Sequence, residues 1–249
     1  MANAKYYRGS VLLALMATPV LLPAHTGTAL DGLPTRFEAN QGQWPAGERF
    51  RARTDSYSLS LDERGATLYV AAKKRSVRFA PARGNEHPAL VGMNAMRARA
   101  NYFVSNDRSK WRSGVPMYEK VRYQQVYPGV DLVYYGTDGQ LEFDFLVKPG
   151  TATDGIRMQV SGADRMSLNS VGDLVIEVAG ERIVQKRPVI YQMAKNGSRE
   201  MVEGSFRMAG KNAVGFRIGQ YDRKRELVID PTLYYSTMFG GKGNDAITG

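Results

Sequence analysis

Val130-Asp131-Leu132-Val133-Tyr134-Tyr135-Gly136-Thr137-Asp138-Gly139-Gln140-Leu141-Glu142-Phe143-Asp144-Phe145-Leu146-Val147 holds two apolar runs on either side of an Asp-Gly pair, the second strictly alternating as far as Phe145. Side chains along a strand point to opposite faces in turn, so Leu141, Phe143, Phe145 and Val147 share one face, while Glu142 and Asp144 share the other. Asp-Gly tolerates the positive φ angles of a tight turn. The stretch reads as an antiparallel hairpin with one face in a core.

The same period recurs on both sides of it. Tyr57, Leu59 and Leu61 alternate with serines before Asp62-Glu63-Arg64-Gly65 turns the chain into Thr67-Leu68-Tyr69-Val70, a second hairpin. Downstream lie Ile156/Met158/Val160, Met166/Leu168, Leu174/Ile176/Val178, Ile183, Val189/Ile190/Tyr191, Met201/Val202, Phe206/Met208, Val214/Phe216/Ile218 and Leu227/Val228/Ile229. Gly162, Gly172-Asp173, Gly180, Asn196-Gly197 and Gly210-Lys211-Asn212 divide them, and each suits a reversal. Short strands at roughly ten-residue spacing predict an all-β, antiparallel, sandwich-like or barrel fold. Ser105-Asn106-Asp107-Arg108-Ser109-Lys110 is polar throughout and reads as loop, although Ser105 or Asn106 could cap one helical turn. Residues 80 to 98 mix Pro81, Gly84, Pro88 and Gly92 with few strand formers and read as a long loop or a subdomain junction. Two packed β subdomains with a break near residues 125 to 150 fit the pattern, and so does one continuous sandwich.

The amino-terminal segment differs in kind. Lys5 and Arg8 precede the apolar run Val11 to Leu22, and small residues follow at Gly27-Thr28-Ala29. That is the tripartite pattern of a secretory signal peptide, with cleavage expected after Ala29 and Ala24 as the other candidate site. A membrane span needs about 20 apolar residues, and this run is shorter and broken by Pro19. No later segment is apolar enough to span a bilayer as a helix. The expected organisation is a signal peptide at 1–29, a β domain at 30–232, and a separate unit beginning at 233.

Composition narrows the chemistry. The chain has no cysteine, so disulfides, thiolate metal sites, cysteine nucleophiles and a lipoprotein anchor are all excluded. A mature chain of about 220 residues can bury enough apolar surface to fold without disulfides. Of the two histidines, His25 falls in the expected leader and His87 in a Pro/Gly-rich loop, which offers no orienting partner for a serine triad or a zinc site. The formal charge is +10, and without Lys5 and Arg8 the excess is eight. Such a balance favours anionic partners: envelope or extracellular polysaccharide, lipid head groups or nucleic acid. The basic residues are dispersed, however. The clusters Lys73-Lys74-Arg75 and Arg223-Lys224-Arg225 read as solvated turns, and no nucleic-acid motif is present.

Several stretches in order resemble the uncharacterised amino-terminal domain that precedes β-propeller (SBBP-type) repeats in bacterial cell-surface proteins. They are Phe37-Glu38-Ala39-Asn40-Gln41-Gly42-Gln43, Asn101-Tyr102-Phe103, Trp111-Arg112-Ser113-Gly114-Val115-Pro116, and Val126-Tyr127-Pro128-Gly129 running on to Gly136. Leu141 to Phe145, Arg187-Pro188-Val189-Ile190-Tyr191 and Leu227-Val228-Ile229-Asp230-Pro231 complete the set. Leu233-Tyr234-Tyr235-Ser236-Thr237-Met238-Phe239-Gly240-Gly241-Lys242-Gly243-Asn244-Asp245 looks like the opening of such a repeat. One blade needs about 40 residues, so a fragment or a truncated product is expected. The resemblance implies an exported, extracellular or cell-surface protein with following propeller repeats as partners, and it carries no catalytic residue.

Four local features invite sharper readings. Gly240-Gly241-Lys242-Gly243-Asn244-Asp245 matches a calcium β-roll repeat, yet one copy cannot build a site in which successive turns share each ion. Glu142 and Asp144 stand roughly 7 Å apart on one strand face, near the spacing of glycosidase carboxylate pairs; with the core residues opposite, both read as markers of the solvated side. Trp44 and Trp111, set among loop residues, are the candidate ligand contacts, since exposed rings stack on sugars. Tyr118, Tyr123, Tyr127, Tyr134 and Tyr135 read as strand and core packing. Asn196-Gly197-Ser198 fits a glycosylation sequon but reads as a hairpin turn. The expected function is a non-enzymatic surface scaffold or interaction module without metal or cofactor; a carbohydrate-binding module or a carboxylate-based glycan hydrolase is the alternative.

Overall fold

The computed structural model describes residues 35–236 apart from 55–56, 71–74, 138–139 and 232. The leader at 1–29, Lys73-Lys74, the Asp138-Gly139 turn, and the glycine-rich motif at 240–245 therefore lie outside the described residues. Among those described there is no α-helix.

The first strands are β1 (Phe37–Ala39) and β2 (Phe50–Arg53), followed by the hairpin of β3 (Tyr57–Asp62) and β4 (Gly65–Val70), where Asp62 pairs with Gly65 across the turn Glu63-Arg64. Next come β5 (Arg75–Pro81), β6 (Ala89–Tyr102), β7 (Arg112–Tyr127), β8 (Val130–Thr137) and β9 (Gln140–Val147). The ladder of the last two runs to Thr137↔Gln140, on either side of the Asp-Gly pair. After them come β10 (Arg157–Ser161), β11 (Arg165–Leu168), β12 (Leu174–Val178), β13 (Glu181–Gln185) and β14 (Val189–Met193). The series ends with β15 (Arg199–Val202), β16 (Gly204–Met208), β17 (Ala213–Ile218), β18 (Leu227–Asp230) and β19 (Leu233–Ser236).

The expected all-β, antiparallel, sandwich-like class holds, with one large sheet and one small one. The large sheet runs β15-β14-β18-β9-β8-β7-β1-β2-β3-β4-β5-β10-β17-β16, with β6 paired to β7 outside this path; β11-β12-β13-β19 form the second sheet. The first and last strands of the large sheet, β15 and β16, are separated only by Glu203. The sheet must therefore fold back over itself, and contacts between strands distant in its order show the two layers meeting. Phe145 of β9 packs edge-on against Phe216 of β17 at 5.7 Å, and the Tyr123 hydroxyl donates to Gly65 O at 3.0 Å. Leu174, Ile176, Val178 and Ile183 of the small sheet join the same core as Phe37, Leu59, Leu132 and Ile229. The stretch 125–150 is occupied largely by β8, β9 and the end of β7, all in the large sheet.

Two local expectations change. Arg108–Lys110 form a single 3₁₀ turn whose cap is Asp107, accepting from the Ser109 N–H, and not Ser105 or Asn106. The span read as a long loop from residue 80 is largely strand: β6 pairs along its length with β7, with a register shift between Ala95 and Arg99. Ala, Met, Arg and Asn fill β6 and give it little intrinsic strand preference. The ladder with β7 supplies the hydrogen bonds instead.

Candidate ligand surface

β1 meets β7 only at Phe37↔Tyr118 and Glu38↔Met117, so residues 112–116 of β7 pair with β6 alone and the two strands continue past β1 as a ribbon. Tyr102 and Arg112 are cross-strand partners near its end and both turn toward the loop that follows β1. Arg112 Nε donates to Gln41 O at 2.7 Å, and its Nη1 donates to Ser109 O and Trp111 O at 2.8 Å. The Tyr102 hydroxyl donates to Glu38, and burial together with this bond pushes its pKa up to about 12. Asn40 ties the loop itself: Nδ2 donates to the carbonyls of Trp44, Pro45 and Glu48, and Oδ1 accepts from the Gly42 N–H.

Trp44 and Trp111 are both half-buried rather than exposed, because each indole is closed in by its neighbours. Trp44 lies edge-on to Tyr102 at 5.6 Å and carries the Arg51 guanidinium 4.5 Å from its ring centre. Arg51 is in turn held by Glu48 through its Nε at 2.9 Å. Trp111 meets Phe103 at 5.0 Å, has Arg108 over its face at 5.3 Å, and donates its Nε1–H to Ser105 O at 2.7 Å. Phe103 and Trp111, just beyond the ends of β6 and β7, pack on each other and on Arg108, whereas Trp44 packs on Tyr102 and Arg51. The two tryptophans therefore belong to two clusters and not to one platform. What stands out to solvent is the tip: Phe103 is 59% and Val104 74% exposed, beside exposed Arg108 and Lys110. Sequence reasoning missed these two residues. The signal was an apolar pair at a strand end with no reversal to bury it.

The outer face of β9 carries a second constellation. Glu142 and Asp144 do face away from Leu141, Phe143, Phe145 and Val147, yet Asp144 is not a solvated marker. Carried one residue further, the register Ile229↔Phe145 places Asp230 beside Asp144. The Tyr135 hydroxyl donates to Asp144 Oδ1 at 3.0 Å. Burial, reinforced by the charge of Asp230, pushes the Asp144 carboxyl up to about 7. Burial raises Asp230 too, with Arg199 pulling the other way. Lys120 Nζ sits 4.6 Å from the Tyr135 ring centre, and Arg199 stacks on Tyr191 at 4.3 Å.

The remaining candidates are quieter. His87 is exposed, its Nδ1 3.4 Å from Glu63 Oε2. Tyr123 and Tyr134 are buried in the core, Tyr118 and Tyr127 pack against it, and Asn196-Gly197 forms the β14–β15 turn with Gly197 at φ +82°. Arg225 of the basic cluster bonds Glu200 at 2.6 Å. Among the described residues no three His, Asp or Glu side chains gather as a metal site would need.

No curated protein and no solved structure matches the chain. Residues 37–232, most of the chain and nearly all of the described fold, match the domain of unknown function DUF7948, and the protein belongs to that family.

Proposed function

We propose that this domain is a non-enzymatic interaction or scaffold module of an exported, cell-surface protein. It precedes β-propeller repeats and meets anionic envelope or extracellular partners, polysaccharide among them, through the end of the β6–β7 ribbon. The observation that carries the reading is the exposed pair Phe103-Val104 beside Trp111, flanked by Arg108 and Lys110. Exposed apolar residues next to cations suit a surface that is charged and only partly wetted. The export half rests on the tripartite leader at 1–29, and the placement ahead of a propeller rests on the resemblance of the segment from Leu233.

Retention of the full chain on immobilised anionic polymers and on anionic vesicles, against neutral dextran and neutral vesicles, tests the reading. Salt-sensitive retention on at least one anionic surface, reduced about tenfold in R108E/K110E, is expected. Equal indifference to every anionic surface would overturn it.

A glycan hydrolase is the second reading, favoured by the raised Asp144 carboxyl beside Asp230. A retaining pair divides the work between a protonated acid and an ionised nucleophile, whereas burial raises both of these groups. No turnover across a glycan panel is expected. Turnover that disappears in D144N and D230N with the fold intact would replace the non-enzymatic reading.

A further inference from the structure

We infer that the partner of the ribbon tip is an anionic lipid surface, with Phe103, Val104 and the Trp111 edge entering the bilayer interface and Arg108 and Lys110 meeting the head groups. The inference rests on the proposed anionic contact and specifies it.

Three observations separate a bilayer from a polysaccharide. First, Val104 is the more exposed of the two apolar tip residues; an aliphatic side chain has no ring to stack on a sugar, but it gains from any apolar medium. Second, two of the polar side chains beside the exposed apolar pair that could read sugar hydroxyls are already engaged. Trp111 Nε1 is given to Ser105 O, Arg112 to the carbonyls of Gln41, Ser109 and Trp111, and the Trp111 face is covered by Arg108. Third, the tip satisfies much of its own backbone. The Ser109 N–H is capped by Asp107 Oδ1 at 3.0 Å, Lys110 N–H bonds Asp107 O at 3.1 Å, and Trp111 N–H bonds Arg108 O at 3.1 Å. Backbone groups bonded internally lose little when water is thinned around them.

Charge complementarity points the same way. Arg108, Lys110 and Arg112 lie at the tip, with Arg99 and Arg97 further back along β6, against Asp107, which faces Lys110 at 3.8 Å, and Glu38, which accepts from Tyr102. Each cation near an anionic leaflet adds attraction that salt screens, while the exposed Phe103 ring and Val104 side chain add apolar area for the interface. Shallow entry of two apolar side chains gives reversible adsorption.

The two tryptophans make the test direct. In W44F the only indole left is Trp111, so brominated lipid in phosphatidylglycerol vesicles should quench its emission and shift it to the blue. The full chain should sediment with such vesicles and not with phosphatidylcholine alone, and F103S/V104S should weaken partitioning about tenfold or more with the fold intact by far-UV circular dichroism. Retention on anionic polysaccharide through Arg108 and Lys110, without vesicle sedimentation or quenching, would overturn the bilayer and leave the anionic contact standing. Absence of both would sink the two readings together.

Discussion

Asp144 shows how one residue reports its surroundings. In the unfolded chain its carboxyl titrates near the ordinary aspartate value of 3.8, and in the fold near 7. The folded state thus holds the proton more tightly, so the stability that this group contributes is complete below about pH 4 and is lost as pH rises toward 7. At roughly 1.4 kcal/mol per pKa unit the loss amounts to a few kcal/mol at most. D144N removes the charge and keeps an acceptor for the Tyr135 hydroxyl. It should therefore be about 1–2 kcal/mol more stable than the parent at pH 8, with the difference closing toward pH 4, as urea unfolding at a series of pH values would measure. A variant with the parent's pH slope would show that Asp144 is not the group responsible. Nothing local in Leu141-Glu142-Phe143-Asp144-Phe145 announces this shift, since its second cause, Asp230, comes from another strand.

At the scale of elements, β6 is the instructive case. Among the described residues it pairs with β7 alone, which leaves one edge unpaired over a long strand, the geometry that invites pairing with another chain. Arg97 and Arg99 lie on it exposed, and Asn94 breaks its regularity with φ +54°. Charge and irregularity on an edge both oppose edge-to-edge association. R97V/R99V should raise the oligomer fraction several-fold at equal concentration, read by light scattering, while the parent stays constant; no change would mean that another feature guards the edge. The strands from 130 to 229 were legible because apolar alternation and turn residues are local. β6 was not, because its strand state comes from β7. Trp44 and Trp111 were legible as loop aromatics, but their half-burial depends on Tyr102, Phe103 and arginines of neighbouring elements.

Across the whole molecule, the large sheet folds back over itself and the small sheet shares its core. Phe145 is fully buried and touches Phe143 in its own strand and Phe216 in the facing layer. Phe145→Ala should cost about 3–5 kcal/mol through lost burial and the cavity left behind. Because the core is shared, the loss should appear as an earlier single transition by both fluorescence and far-UV circular dichroism. Two separated transitions would show that the layers unfold independently.

The sequence by itself determined the all-β class, most strand positions and the inward set Leu141, Phe143, Phe145 and Val147, because side-chain alternation and turn preference act between near neighbours. Only the tertiary structure decided that Asp230 lies beside Asp144, that residues 89–102 are a strand, and that Phe103 and Val104 are left outside. Register and layer contact join residues far apart in the chain, and no local period encodes which strand will be the neighbour.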